Sequence, residues 1–347
     1  MDIPATPTHA RGPHTAAAAP HSPIEPGRYS IYDHIETLPG GREEIMEEVS
    51  SDFGYNPVRS EHDRYAGGIV PWHWHQELEL FMVEQGQVVY EVPHFKTVVS
   101  AGDVGLVNAN VLHSTHAKDG MHGANMRIHM FRPALIAEPG SLIYKRYVEP
   151  LVSATSVGLL LARTDGDAFE QQLCRDVAGS FGTFERGAFG WEIGLRNELS
   201  RLWLAFLKLA EPRLAEGPAQ MPRAAEERMR AMLDYVGLHY FEDITVADIA
   251  AAGLTSERGA HRTFKEELGT TPVRYLREYR VEQACRMLAH TTRPLATVGK
   301  MCGLGSPSYF AQVFKASTGR TPSQYRAEWQ DGDIERRNSG NAAGGGV

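Results

Sequence analysis

The chain has 347 residues, 42% of them hydrophobic, and carries a formal net charge of −8. That length exceeds what one core usually holds and the apolar content suffices for two, so two domains with appendages are expected. Cys174, Cys285 and Cys302 lack pairing or ligand spacing, which argues against a disulfide framework or a zinc–thiolate site. The longest apolar stretches, such as 157–162, are too short to span a bilayer, and no basic start precedes an apolar run. The expected location is the cytoplasm, with no membrane partner.

Residues 1–29, rich in Pro, Ala, His and Thr, have too little apolar pattern to fold and read as a disordered arm. From 30 to 162 the pattern changes to short alternating runs. Residues 88–92, 97–99 and 104–107 read as strands separated by turns, the expected form of a small all-β barrel. Within it, GGIVPWHWHQELELFMVEQG places His73, His75 and Glu79 two and four residues apart. On one strand all three would project from the same face, a metal-ligand arrangement. About thirty residues on, AGDVGLVNANVLHSTH supplies a turn at Gly102 and Asp103 and a further histidine, His113. Trp72 and Trp74, on the opposite parity, read as packing residues. His94, His116, His122 and His129 show no recognisable spacing and receive no role.

This region resembles the cupin superfamily. Gly67, His73, His75, Glu79 and Gly86 meet every position of its first motif. Gly102 and His113 match the second, where Asn108 and Asn110 replace the usual proline and glycine and Ala117 replaces an asparagine. The resemblance implies that in a metal-binding version His73, His75, Glu79 and His113 hold one divalent ion. Three imidazoles and a carboxylate suit iron, manganese, nickel or zinc. Two other readings stand beside it: a metal-free pocket whose histidines are donors to a small-molecule effector, and histidines that are only structural.

Two helical patterns follow in the 163–210 region, at 168–184 and 189–210. The second carries Trp191, Leu195, Leu199, Leu202, Trp203, Phe206 and Leu209, a stripe wider than one small barrel would satisfy. Burial of the excess in a homodimer is the expectation. A linker with Pro212, Gly217, Pro218 and Pro222 spans 211–224.

Residues 225–330 read as an all-α unit with two helix-turn-helix patterns in tandem. In the first, Thr245 and Asp248 form a capping box and Ser256 caps a helix that buries Ala260, Phe264 and Leu268. Glu257, Arg258, His261, Arg262 and Lys265 then face outward. In the second, Ser306 is an N-cap with Pro307 at the first helical position, and Phe310 and Phe314 share one face. Ser308, Tyr309, Gln312 and Lys315 fall elsewhere on that helix, and Gly303 makes the tight turn before it. Between the units, residues 273–290 read as one longer helix that sets the separation of the two reading helices. Arg274, Arg277, Arg280 and Arg286 on it are either phosphate contacts or an ordinary solvated face. The acidic chain hides a net positive stretch from Val273 to Gln330. Residues 331–347 are polar and Gly-rich and read as a disordered tail.

The run GLGSPSYFAQVFKASTGRTPSQYR resembles the signature of the AraC/XylS family of bacterial transcription regulators, and the resemblance extends over residues 228–329. It implies two recognition helices in adjacent major grooves, with Ser308, Tyr309 and Gln312 in one and Arg258, His261 and Arg262 in the other. The first unit departs from the pattern: Gly253 sits one residue early, and Ala260 replaces a large aliphatic residue.

The expected fold class is therefore an α+β two-domain chain, with an N-terminal cupin-like β-barrel plus helices and a C-terminal all-α double helix-turn-helix. The expected function is a ligand-responsive, sequence-specific regulator of promoter DNA. By family analogy its effector is a sugar or similar polar metabolite, and RNA polymerase is a further partner if it activates. The competing class is a metal-dependent cupin oxygenase or isomerase joined to a DNA-binding domain, for which no general base is evident beyond the four candidate ligands.

Overall fold

A computed structural model describes residues 24–37, 42–45, 52–65, 68–118, 123–154, 157–215 and 223–329. Nine strands form the N-terminal half: β1 (Tyr55–Glu61), β2 (Ile69–His73), β3 (Leu78–Gln85), β4 (Gln87–Val92), β5 (Phe95–Ser100), β6 (Val104–Val107), β7 (His113–Ala117), β8 (Asn125–Phe131) and β9 (Leu159–Ala162). They pair into a five-stranded sheet, β1-β8-β3-β6-β9, and a four-stranded sheet, β2-β7-β4-β5. All of these ladders are antiparallel. The expected strands at 88–92, 97–99 and 104–107 correspond to β4, β5 and β6.

β3 is buried on both faces, which explains why it reads as a nearly continuous apolar run. Leu78, Leu80 and Met82 join the cluster formed with the helices. Phe81 and Val83, on the other parity, join the cluster inside the barrel. Glu79 shares that inner parity.

Behind the larger sheet lie α1 (Glu149–Val152), α2 (Ala168–Arg186) and α3 (Trp191–Ala215). Asp167 caps α2 by accepting from the Glu170 amide, and Gly187 ends it in the left-handed region at φ 55°. The α3 stripe picked out in sequence is consumed at home. Leu195, Leu199, Leu202, Trp203 and Phe206 are buried in the sensor's own core, and Trp191 and Leu209 pack against it. The stripe is thus no argument for a dimer, because α2, α1 and the sheet together offer more apolar surface than the barrel alone. Two further expectations change. Residues 24–29 belong to the fold rather than to a disordered arm: Ile24 and Tyr29 pack on the core and Tyr29 donates to Glu185 at 2.9 Å. α3 carries Pro212 inside its last turns and α4 (Arg223–His239) starts early, so helix enters the 211–224 linker at both ends. Residues 1–23 and the tail from 330 lie outside the described residues, as does His122.

The C-terminal half continues with α5 (Val246–Ala252), α6 (Glu257–Leu268), α7 (Pro272–His290), α8 (Leu295–Met301) and α9 (Pro307–Thr318). The helix starts follow the capping chemistry. Thr245 and Asp248 form a complete capping box. Ser256 accepts from the Gly259 amide, and Ser306 accepts from the Tyr309 amide with Pro307 at the first helical position. α7 divides its apolar residues between the two units. Tyr275, Leu276 and Tyr279 pack with α4, α5 and α6, whereas Val281, Ala284, Cys285 and Leu288 pack with α8 and α9.

Candidate ligand site and nucleic-acid interface

The four candidate barrel residues converge, though not from one strand as the spacing suggested. His73 ends β2 in the smaller sheet, His75 lies in the crossing segment, Glu79 sits on β3 in the larger sheet, and His113 starts β7. The chain changes sheets between His73 and Glu79, so the residues approach from opposite walls. All four are buried, with 1–4% exposure. Gly86, at φ 77°, makes the β3–β4 turn where the motif asks for glycine, while Gly67 falls outside the described residues.

The imidazoles are held in one orientation. Nδ1 of His73 lies 2.7 Å from the Pro71 carbonyl, Nδ1 of His75 is 3.1 Å from that of Glu77, and Nδ1 of His113 is 2.8 Å from that of Val111. A carbonyl only accepts, so each Nδ1 carries a proton and each Nε2 points to the centre; burial opposes charge on His75, but Glu79 raises it above its ordinary value. One ligand atom from each histidine lies within 4.8 Å of the others. Nε2 of His75 and of His113 are buried without a hydrogen-bond partner, 3.5 and 3.3 Å from Glu79 Oε2. The Tyr90 hydroxyl donates to the other Glu79 oxygen at 2.5 Å. Burial works against ionisation of Glu79, but His113 and His75 hold its carboxyl well below the usual range. Burial, followed by His113 and His75, holds His73 well below its ordinary value. The site therefore presents neutral His73 and an ionised carboxylate, in a cavity of about 30 Å³.

Sequence reasoning missed two residues here. Glu44 lines the same cavity, with Oε2 3.6 Å from His73 Nε2, and Tyr90 orients Glu79. Neither sits in a recognisable motif; only the parity of Tyr90 on a half-apolar strand hinted at an inward position. Among the described residues, the unassigned histidines now have places. His129 is a core residue between the Tyr55 hydroxyl and Ser180 Oγ, and His116 lies near Glu91 at the sheet surface. Asn110 stands in the left-handed region at φ 61°, a conformation asparagine tolerates in place of the motif's glycine.

On the second half, α6 presents Arg258, His261 and Arg262 to solvent, and α9 presents Ser308, Tyr309, Gln312 and Lys315. Ala260, Phe264, Phe310 and Phe314 fix the helices from behind at 0–2% exposure. The turns differ. Gly303 takes the left-handed conformation at φ 65° before α9, whereas Leu254 takes it at φ 50° before α6. Gly253 serves another need: a Cβ there would lie 2.6 Å from Met232 Cγ. Of the α7 arginines, Arg280 donates to the Tyr240 and Glu242 carbonyls and Arg274 pairs with Glu278, so these two serve the fold.

The two halves touch. Trp72 and Trp74, alternating with the inward His73 and His75, pack with Met229, Met232 and Leu233 of α4. The Arg230 guanidinium lies 4.5 Å above Trp74, and it donates to the Asn110 carbonyl. Buried Arg42 donates to the Tyr275 hydroxyl at 2.9 Å, sits 4.2 Å over the Tyr279 ring, and pairs with Glu282 at 3.4 Å. His94 on the β4–β5 turn lies 3.1 Å from Glu267 of α6.

A buried, ligand-lined barrel joined to paired reading helices defines a DNA-binding transcription regulator with a ligand-binding sensor domain. Comparison with known proteins agrees: residues 58–175 match an AraC-like ligand binding domain and residues 249–328 a helix-turn-helix domain. These matches together span more than half of the chain, and it belongs to the AraC/XylS family of transcription regulators. It is 27% identical over 263 residues to the HTH-type transcriptional regulator YdeC of Bacillus subtilis, covering 75% of this chain and 87% of that one. The HTH-type transcriptional activator RhaS of Enterobacter is 24% identical, with coverage of 79% and 93%. ToxT from Vibrio cholerae, a solved structure, aligns with a TM-score of 0.42 at 13% identity, covering 79% of this chain and 98% of that one. Both of these curated relatives are named as transcription regulators. Among the described residues no helix is long and apolar enough to cross a membrane.

Proposed function

We propose that this regulator senses through a divalent metal ion held in the barrel by His73, His75, His113 and Glu79. The observation that carries the reading is the shared orientation. Three backbone carbonyls accept from Nδ1–H and aim the Nε2 atoms at one point, where those of His75 and His113 are buried outside hydrogen-bond geometry and face the Glu79 carboxylate. Buried polar atoms left unpaired cost about 1–3 kcal/mol each, and a cation removes that cost. Carbonyl partners of this kind also orient metal-binding imidazoles. When bound, the ion supplies a Lewis-acidic centre with open positions for a small oxygen or nitrogen ligand. A cavity of about 30 Å³ has room for little more than a water molecule beside such an ion. A cavity of this size favours the ion itself, or a small anion completing its coordination, over a sugar as the effector.

The output is carried by Arg258, His261 and Arg262 on α6 and by Ser308, Tyr309, Gln312 and Lys315 on α9, reading adjacent major grooves of promoter DNA. A homodimer remains the assembly proposed here. Its support now comes from a different α3 face, where Ile193 and Leu204 are 70% and 61% exposed, and from Phe189 just before it. RNA polymerase is a further partner where the outcome is activation.

Elemental analysis of tag-free protein beside a His73→Ala, His75→Ala variant tests the sensor reading. Near one equivalent more in the parent than in the variant is expected. Equal metal in both, after incubation with divalent ions, would sink it and return the histidines to the role of pocket donors.

A further inference from the structure

A second constellation of ligand atoms lies outside the barrel, at the seam between the two halves. Asp33 and His34 come from the segment that precedes β1, and His290 is the last residue of α7. One ligand atom from each lies within 4.8 Å of the others. Nδ1 of His34 is 2.5 Å from Asp33 Oδ1, Nε2 of His290 is 3.9 Å from Asp33 Oδ2, and the two rings are 5.9 Å apart. The three line a cavity whose walls belong to both domains: Ile35, Tyr65 and Ile69 on one side, Ala289 and Trp329 on the other.

We propose that Asp33, His34 and His290 form a zinc-class cation site that bridges the sensor and the DNA-binding domain. Two imidazoles and a carboxylate are a borderline-metal donor set, suited to Zn(II) or Co(II) and poorly suited to magnesium or calcium. Tetrahedral zinc with bonds of about 2.1 Å spaces its ligand atoms by roughly 3.3 Å. The present separations straddle that value, so side-chain rotations complete the site without backbone movement. The backbone is anchored on both flanks. Ser30 bridges to Val58, Thr37 bridges to Glu44, and Ile35 packs with Tyr65 and Val70. His290 sits at the carbonyl end of α7, where the helix dipole favours a cation. Two charged side chains face the same cavity: Arg286, which opposes a cation, and Glu282, which favours one and is shared with Arg42.

Because its ligands come from both domains, the site exists only while they are docked. An ion that binds only that arrangement shifts the equilibrium toward it, by about 100-fold at a free concentration 100 times Kd. The ion would hold the two reading helices at one orientation to the sensor, independently of what fills the barrel.

The test uses full-length, tag-free protein, the exposed-site variant His290→Ala, and the barrel variant His73→Ala, His75→Ala. Zinc and Co(II) stoichiometry and small-angle scattering are measured with and without added ion. The expected result is that the parent and the barrel variant each lose one equivalent on adding His290→Ala, with Co(II) absorption in the tetrahedral range lost in parallel. Zinc should also lower the radius of gyration only where His290 is present. Unchanged stoichiometry in His290→Ala overturns the site. Loss of the ion with identical scattering profiles overturns the bridge. An Asp33→Asn variant should repeat the His290→Ala result, which guards against a fold defect in one of them. Metal lost only in the barrel variant would leave the proposed sensor function standing and remove this one.

Discussion

The barrel site and the reading helices solve opposite problems. In the barrel the proposed ligand side chains are 1–4% exposed and each imidazole is tied to a carbonyl. On α6 and α9 the proposed DNA-contacting side chains stand in solvent on helices whose apolar residues are satisfied elsewhere. One site is preorganised at the expense of stability, since its groups are desolvated before any ligand arrives. The other costs the fold nothing and is organised only by the DNA it meets. Chemistry and stability are therefore coupled in the sensor and separable in the reader.

Acid should expose that contrast most strongly. Burial lowers His62 to about 4 and His129 to about 3, and both lie in the sensor. Their folded values are below the unfolded value near 6.5, so between these limits the unfolded chain binds more protons. Stability is then full above about pH 6.5 and falls as pH drops, by up to roughly 1.4 kcal/mol per pH unit for each histidine. Circular dichroism melts from pH 7 to 4.5 should show the sensor transition moving down while the helical transition moves little. A single transition that ignores pH over this range would contradict the burial argument.

The next effect in size is on DNA. A Gln312→Ala, Arg262→Ala double variant removes two candidate base contacts, each worth about 1–3 kcal/mol, so specific affinity should fall by about two to four orders of magnitude. Its melting temperature should match the parent's, because both residues are exposed. Normal promoter binding in a mobility-shift assay would show the reading helices to be misplaced. Tyr90→Phe comes third. Loss of its hydroxyl strips Glu79 of a buried donor and should cost about 1–3 kcal/mol in a denaturant titration, with DNA affinity of the folded protein unchanged. The smallest change is a gain. Leu254 holds φ 50° with 92% exposure, and Leu254→Gly should stabilise the helical half by about 0.5–1 kcal/mol.

Much of this arrangement was legible in the sequence where local chemistry dictates structure. Caps at Thr245, Ser256 and Ser306 and the Phe310–Phe314 pair are rules of a few residues, and the fold obeys them. The readings that changed depend on distant partners. The seven residues from His73 to Glu79 look like one strand, but only strand pairing reveals that the chain crosses between sheets there. The α3 stripe looked surplus because α1 and the segment at 24–29 carry no periodic signal to announce that they would cover the remaining core. Arg42 and Glu44 were invisible for the same reason: they act from a segment with two isolated bridges and no pattern.

The alternation from Trp72 to His75, at the end of β2 and just past it, also bears on how such a regulator can evolve. His73 lines the cavity and His75 joins its histidine cluster, while Trp72 and Trp74 pack toward α4, so this short stretch touches both halves. A substitution that retunes recognition on β2 disturbs the wiring as well, and selection would see both changes at once. Thr115 on β7 and Met126, Ile128 and Met130 on β8 line the same cavity without lying on that stretch. New specificities can be explored there while the response is inherited intact, so diversity among descendants should accumulate on β7 and β8 before it touches the tryptophan strand.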